Sequence, residues 1–198
     1  MRIIILNSFE WGTDIMVKAR LKGLEAVIED NQEFVSFLVD RGYGRLEDSR
    51  LILSSVEALY LVSEGKIEVC DEDGSTLTVD QLLSKLLPYD PDVWIKYLVY
   101  RDLRSRGYVV KEGVGFGCDF RVYRKGGYGK EAAKYLIFML PEGRSYRLSE
   151  LEDIASKSKR LGKDLILAII DRRGDIVYYS LNLIPSRFKA DKEVEEEL

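Results

Sequence analysis

The stretch Ser149–Leu181, SELEDIASKSKRLGKDLILAIIDRRGDIVYYSL, decides the fold. Ser149 with Glu152 three residues on has the form of a capping box, and Leu151, Ile154, Ala155 and Leu161 recur at helical spacing until Gly162 stops them. Leu165–Ile170 is an uninterrupted apolar run, the mark of a central strand covered on both faces. Asp171-Arg172-Arg173-Gly174-Asp175 then turns the chain into a second strand of branched and aromatic residues, Ile176–Leu181. Together these predict a sheet with a helix laid against it.

Upstream, three further runs rich in aromatic and branched residues, Tyr108–Val110, Cys118–Tyr123 and Tyr135–Leu140, read as strands separated by glycine-bearing turns. Val93, Trp94, Tyr97, Leu98 and Tyr100 make the apolar stripe of a helix over Val93–Arg106 that Gly107 ends. Pro88 and Pro91 interrupt the chain just before it, and a domain joint is expected there, near residue 90. On the far side, Val56–Val62 reads as a helix, Lys66–Cys70 as a strand, and a turn at Asp71–Gly74 leads to a second strand and a helix near Asp80–Leu87. Arg2–Leu6 reads as an opening strand. The expected class is α+β: two α/β subdomains, the first over 1–88, the second over 89–187 with a small mixed sheet flanked by helices, and a charged tail over 188–198.

With 46% hydrophobic and 32% charged residues the chain has the composition of a folded globular protein. No apolar run is long enough to cross a bilayer, so no membrane association and a cytoplasmic location are expected. Two cysteines far apart and no histidine argue against a disulfide framework, a transition-metal site or a serine or cysteine triad. No metal and no cofactor are expected. The net charge of −4 is not that of a typical nucleic-acid binder. The basic residues are unevenly placed, however, with Arg101, Arg104, Arg106, Lys111, Arg121, Arg124, Lys125 and Lys130 crowding the middle of the chain. That cluster reads either as a local basic face or as ordinary solvated surface.

Within Cys118–Tyr123 a period of two puts Cys118, Phe120 and Val122 on one face and Asp119, Arg121 and Tyr123 on the other. A tyrosine beside an arginine on a polar strand face is a candidate base, although packing is the commoner role of a strand tyrosine. Lys163 stands between a helix-ending glycine and a buried strand, where an ammonium can meet a developing phosphate charge or simply snorkel. Gly113, Gly115 and Gly117 lack the helix, lysine and serine of a phosphate loop and read as a flexible connection. Asp171 and Asp175 fit a hairpin turn as well as a carboxylate pair for a metal.

Tyr100-Arg-Asp-Leu-Arg-Ser-Arg-Gly-Tyr-Val-Val-Lys111, Gly115-Phe-Gly-Cys-Asp-Phe-Arg-Val-Tyr123, Lys134-Tyr-Leu-Ile-Phe138 and Gly162-Lys-Asp-Leu-Ile-Leu-Ala-Ile-Ile-Asp171 together resemble the catalytic domain of archaeal tRNA-intron endonucleases. Val56-Glu-Ala-Leu-Tyr-Leu61 with Gly65-Lys-Ile67 resembles that family's N-terminal domain more loosely. The resemblance implies a tyrosine, histidine and lysine triad working without metal, in which Tyr123 takes the proton of a ribose 2′-hydroxyl and Lys163 steadies the transition-state charge. The position of the histidine, the general acid, falls on Ala132. It also implies precursor tRNA as substrate, cut at a bulge-helix-bulge into 2′,3′-cyclic phosphate and 5′-hydroxyl ends. Homologous subunits are the implied partners, in a homo- or hetero-oligomer joined through a hairpin tip that here is Asp171–Asp175. Arg121, Lys130, Lys157 and Arg160 are the candidate RNA contacts. Two alternatives follow: a structural subunit of a heteromeric enzyme, and a magnesium-dependent nuclease built on Asp119.

Overall fold

A computed structural model describes residues 17–183. The expected strand Arg2–Leu6 and the tail 188–198 lie outside the described residues. The chain forms two compact units that divide between Val109 and Val110.

In the first unit, β1 (Val17–Lys22) and β2 (Glu25–Ile28) form an antiparallel hairpin through Gly23. Valine, alanine and leucine alternate with lysine and arginine in β1, so one face is buried and the other exposed. Helix α1 (Gln32–Asp40) starts at Asn31, whose side chain accepts from Phe34 N at 3.1 Å. Strands β3 (Arg45–Glu47) and β4 (Arg50–Leu53) join through Asp48 and Ser49, both at positive φ, the two-residue turn whose twist matches that of the strands. Helix α2 (Ser55–Ser63) opens with a capping box between Ser54 and Glu57, and the buried Glu57 carboxylate also accepts from Gly44 N at 3.0 Å. Strand β5 (Ile67–Cys70) runs parallel to β1, β6 (Thr76–Leu77) returns beside it, and α3 (Val79–Leu86) is capped by Thr78 and Gln81. The sheet order is β3-β4-β2-β1-β5-β6.

Helix α4 (Val93–Ser105) packs on α2. Its Tyr100 meets Tyr60 edge to face at 5.6 Å, and the guanidinium of Arg104 lies 3.9 Å from the Tyr43 ring centroid. Burial pushes the Tyr60 phenol up to about 12. Because α4 packs with this unit, the compact division falls after the helix, whereas Pro88 and Pro91 precede it.

The second sheet runs β11-β10-β9-β8-β7 over β7 (Val109–Glu112), β8 (Phe120–Tyr123), β9 (Tyr135–Pro141), β10 (Asp164–Ile170) and β11 (Ile176–Leu181). It is mixed. β9 and β10 are parallel and linked by helix α5 (Leu148–Arg160), while β8 and β11 flank them antiparallel. Leu136, Leu165 and Ala155 form the core between sheet and helix, with Phe138, Ile154 and Leu181 packed around them. The capping box expected at Ser149 does not form: α5 already starts at Leu148, after Arg147 in extended conformation, and no side chain caps it. Ser149 is thus one residue inside the helix, too late to serve as its cap. At the β10–β11 turn the Asp171 carboxylate accepts from Arg173 N and Asp175 N at 2.8 and 2.9 Å, the hairpin role its position suggested.

Candidate active site

Strand register brings the site together. Val122 of β8 pairs with Tyr135 of β9, and Tyr135 pairs with Asp164 of β10. Tyr123, the residues just before Tyr135, and Lys163 therefore meet at one end of three adjacent strands. With strands about 4.8 Å apart, the Tyr123 and Lys163 backbones are separated by roughly 10 Å, with the 132–134 segment between them. Arg121 lies opposite Leu136, which lies opposite Leu165, so by alternation Tyr123, Arg121 and Lys163 share the face that α5 covers.

Lys163 is fixed by the way α5 ends. Gly162, at φ +64°, donates to Lys159 O, and Lys163 N donates to Ser158 O at 3.0 Å, the paired bonds of a Schellman motif. The Lys163 ammonium then donates to the carbonyl of Ala133, the buried neighbour of the exposed Ala132. Lys134 N and O continue the ladder on either side, to Val122 O at 2.9 Å and from Asp164 N at 3.0 Å.

Tyr123 closes β8, and the ring of Tyr128 stands edge-on to it, with centroids 5.0 Å apart. Tyr128 rides on a loop that turns at Gly126 and Gly129, both at positive φ, and is pinned where Glu131 N donates to Gly127 O at 2.8 Å.

The glycine-bearing connection is not loose. Gly113 N donates to Asp119 O, and Phe116 N to Gly113 O, each at 2.9 Å. A Cβ on Gly113 would collide with the Cys118 backbone, so glycine is required there. Lys157 of α5 donates to Gly115 O at 3.2 Å. Phe116 packs on the Leu136–Ala155–Leu165 core, and both the Lys163 ammonium and the Arg121 guanidinium lie 5.9 Å from its ring centroid. Arg121 Nε is buried without a hydrogen-bond partner. Burial, and secondarily Asp119, push the Cys118 thiol up to about 11, with Lys157 and Arg121 opposing.

Of the residues singled out in the sequence, Tyr123, Arg121, Lys157 and Lys163 are gathered on this face, and Ala132 lies at its edge. Lys130 is exposed on the Tyr128 loop and Arg160 is exposed in the last turn of α5. Asp119 precedes β8, and its carboxylate accepts from Met139 N at 2.7 Å, a structural use of the group on which a magnesium site was considered. Among the described residues no group of three or more His, Cys, Asp or Glu side chains is placed to hold a metal ion. Phe116, Tyr128 and the Ala133 carbonyl were not legible beforehand. Their roles arise from contacts between segments, and only the aromatic residues amid glycines hinted at them.

Residues 93–178 match the family model described as tRNA intron endonuclease, catalytic C-terminal domain, and residues 17–83 match that of the N-terminal domain of the same enzymes. The chain belongs to the tRNA intron endonuclease family. The stretches that resemble the family lie within these spans. A tRNA-splicing endonuclease of Pyrococcus abyssi is 41% identical over 145 residues, 73% of this chain and 83% of the relative. That of Methanococcus vannielii is 34% identical over 168 residues, 85% and 94% of the two, and that of Pyrococcus furiosus is 35% identical over 166 residues, 84% and 95%. In the tRNA intron endonuclease family frame, the catalytic-domain match begins at the first residue of α4, covers β7 to β10 and ends within β11. No helix of the described residues is long and apolar enough to cross a membrane.

Proposed function

We propose that this chain is a subunit of a tRNA-splicing endonuclease that cuts precursor tRNA at bulge-helix-bulge intron boundaries, and that its own catalytic set lacks the general acid. The observation that carries this reading is the convergence of Tyr123, the Ala132–Ala133 segment and Lys163 at one end of β8, β9 and β10. Tyr123 acts as the base on the ribose 2′-hydroxyl, which attacks the neighbouring phosphorus. Lys163 stabilises the added negative charge on the phosphoryl oxygens. Departure of the 5′-oxygen then requires a proton, and the Ala132 methyl has none to give. The products are a 2′,3′-cyclic phosphate and a 5′-hydroxyl, and the chemistry uses no metal.

Loss of a general acid lowers the rate by about a hundred- to ten-thousand-fold. The chain therefore binds and assembles but cleaves poorly. Its partners are homologous subunits, in a homo- or hetero-oligomer reached through the Asp171–Asp175 tip, and it works in the cytoplasm. By sequence, 89–187 is read as the catalytic-type domain and 1–88 as the N-terminal domain.

A second reading, a structural subunit that holds catalytic partners in register, is favoured by the absence of histidine from the whole chain. The test is cleavage of a bulge-helix-bulge RNA in chelator by the chain and by Ala132→His, each alone and mixed with a histidine-bearing homologous subunit. A gain of about a hundredfold or more for the variant alone supports a disabled catalytic subunit. No gain, with undiminished cutting by the mixture, supports the structural subunit. Cleavage that is absent in chelator and appears in a parallel reaction with excess magnesium overturns both.

A further inference from the structure

Arg121 combines features that the proton-transfer and charge-stabilising roles above leave unused. It sits two residues before Tyr123 on the same strand face, and its Nε is buried without a hydrogen-bond partner. A buried cationic donor left unpaired is costly, and proteins satisfy such groups with an internal acceptor or with a ligand. Among the described residues, Arg121, Lys157 and Lys163 form no ion pair with a carboxylate. Asp119, the acid beside them, is bonded to Met139 N.

The three cations are nonetheless held in place. Lys157 and Lys163 each spend one donor on a main-chain oxygen, of Gly115 and Ala133, and an ammonium has three. Phe116 presents its ring to both Arg121 and Lys163 at 5.9 Å, within the range at which a π face attracts a cation. Positive groups anchored on backbone and aromatic, with donors to spare and no carboxylate partner, are preorganised for an anion.

We propose that Arg121, with Lys157 and Lys163 around Phe116, forms a seat for a backbone phosphate of the bound RNA, with Arg121 as its anchoring donor. The proposal rests on the reading of the chain as an RNA-binding endonuclease subunit and adds a binding function that does not depend on Ala132. The seat secures the strand so that its 2′-hydroxyl is presented to Tyr123, whether or not a general acid is present to complete the cut.

The test measures binding of the full chain to a bulge-helix-bulge RNA with 2′-deoxy residues at the cleavage positions, by fluorescence anisotropy over a series of salt concentrations. Arg121→Gln is expected to weaken binding about tenfold or more and to flatten the dependence of log affinity on log salt by about one. Arg121→Lys keeps the slope and loses part of the affinity, because the ammonium retains the charge without the planar fork. In RNAs with single methylphosphonate substitutions, neutralising the seated phosphate weakens binding of the unaltered chain but not of Arg121→Gln. Equal affinity and equal slope for Arg121→Gln and the unaltered chain overturn the seat alone. Failure of the unaltered chain to bind the RNA overturns the functional reading and the seat with it. Should Arg121→Gln not fold, as judged by circular dichroism, the methylphosphonate series on the unaltered chain and Arg121→Lys decides: no single sensitive position overturns the proposal.

Discussion

The ammonium of Lys163 donates to the main-chain oxygen of Ala133, the residue after Ala132, which is proposed above as the general-acid position. The lysine and the 132–134 segment are thereby coupled through backbone, and the coupling is indifferent to the side chain at 132. Introducing histidine there should leave the geometry of Lys163 unchanged.

In the Ala132→His background, Tyr123→Phe and Lys163→Met are each expected to lower single-turnover cleavage by about a hundredfold or more. Their melting temperatures should remain close to that of the parent. Lys163→Arg recovers part of the loss because it keeps a cation at the same place. Retention of full activity in Tyr123→Phe would remove that residue from the proton-transfer role.

Glu57 is buried, and its carboxylate accepts from both Ser54 N and Gly44 N at 3.0 Å. Glu57→Ala leaves these amides short of an acceptor and removes the side-chain half of the α2 capping box, while Ser54 still caps the Glu57 amide, and should cost about 2–3 kcal/mol in urea unfolding. Glu57→Gln, which keeps an acceptor oxygen, should cost less.

Gly113→Ala places a methyl group against the carbonyl of Cys118. Backbone cannot yield as a side-chain tip does, so the loop must move, at about 1–3 kcal/mol. Phe116 moves with it, and RNA affinity should fall along with stability. Gly115→Ala provides a contrast: its Cβ meets nothing within 4 Å, and the cost comes from its φ of +81°.

The Cys118 thiol, pushed up to about 11 by burial, stays protonated in the folded protein at neutral pH. Alkylation by iodoacetamide at pH 7.5, followed by mass spectrometry, should be slow until denaturant is added. The unfolded chain loses this proton near the ordinary thiol value of about 8.5, whereas the folded chain holds it to about 11. The contribution to stability is thus complete below the unfolded value and is lost as pH rises through this window. The stability difference between the unaltered chain and Cys118→Ala should be flat below about pH 8.5 and shift against the unaltered chain above it.

The second sheet was the more legible part of the molecule. β9 and β10 are continuous apolar runs that announce a covered strand, and Gly162 marks the end of α5. Between Arg2–Leu6, which lies outside the described residues, and Val56 the first unit was not legible, because β2, β3 and β4 are three or four residues long and their pairing rests on turns at Gly23 and Asp48–Ser49 that have no strong sequence signal. The start of α5 was misplaced because Ser149 and Glu152 have capping-box chemistry at the wrong position relative to the extended Arg147. Tyr123 and Lys163 stand out from local pattern and from the resemblance to the family. The Ala133 carbonyl, the Phe116 ring and the Tyr128 ring could not, since each acts on a residue brought near by strand pairing or loop closure.

The Schellman ending of α5 has a further consequence. It places Lys163 by main-chain bonds at Ser158 and Lys159, while Ala133, again by its main chain, receives the ammonium. Nothing in this frame consults the side chain at residue 132. The position is therefore a socket, open to exchange at small cost to folding, and on the function proposed above one substitution there separates cutting the RNA from merely holding it, with the way back left open.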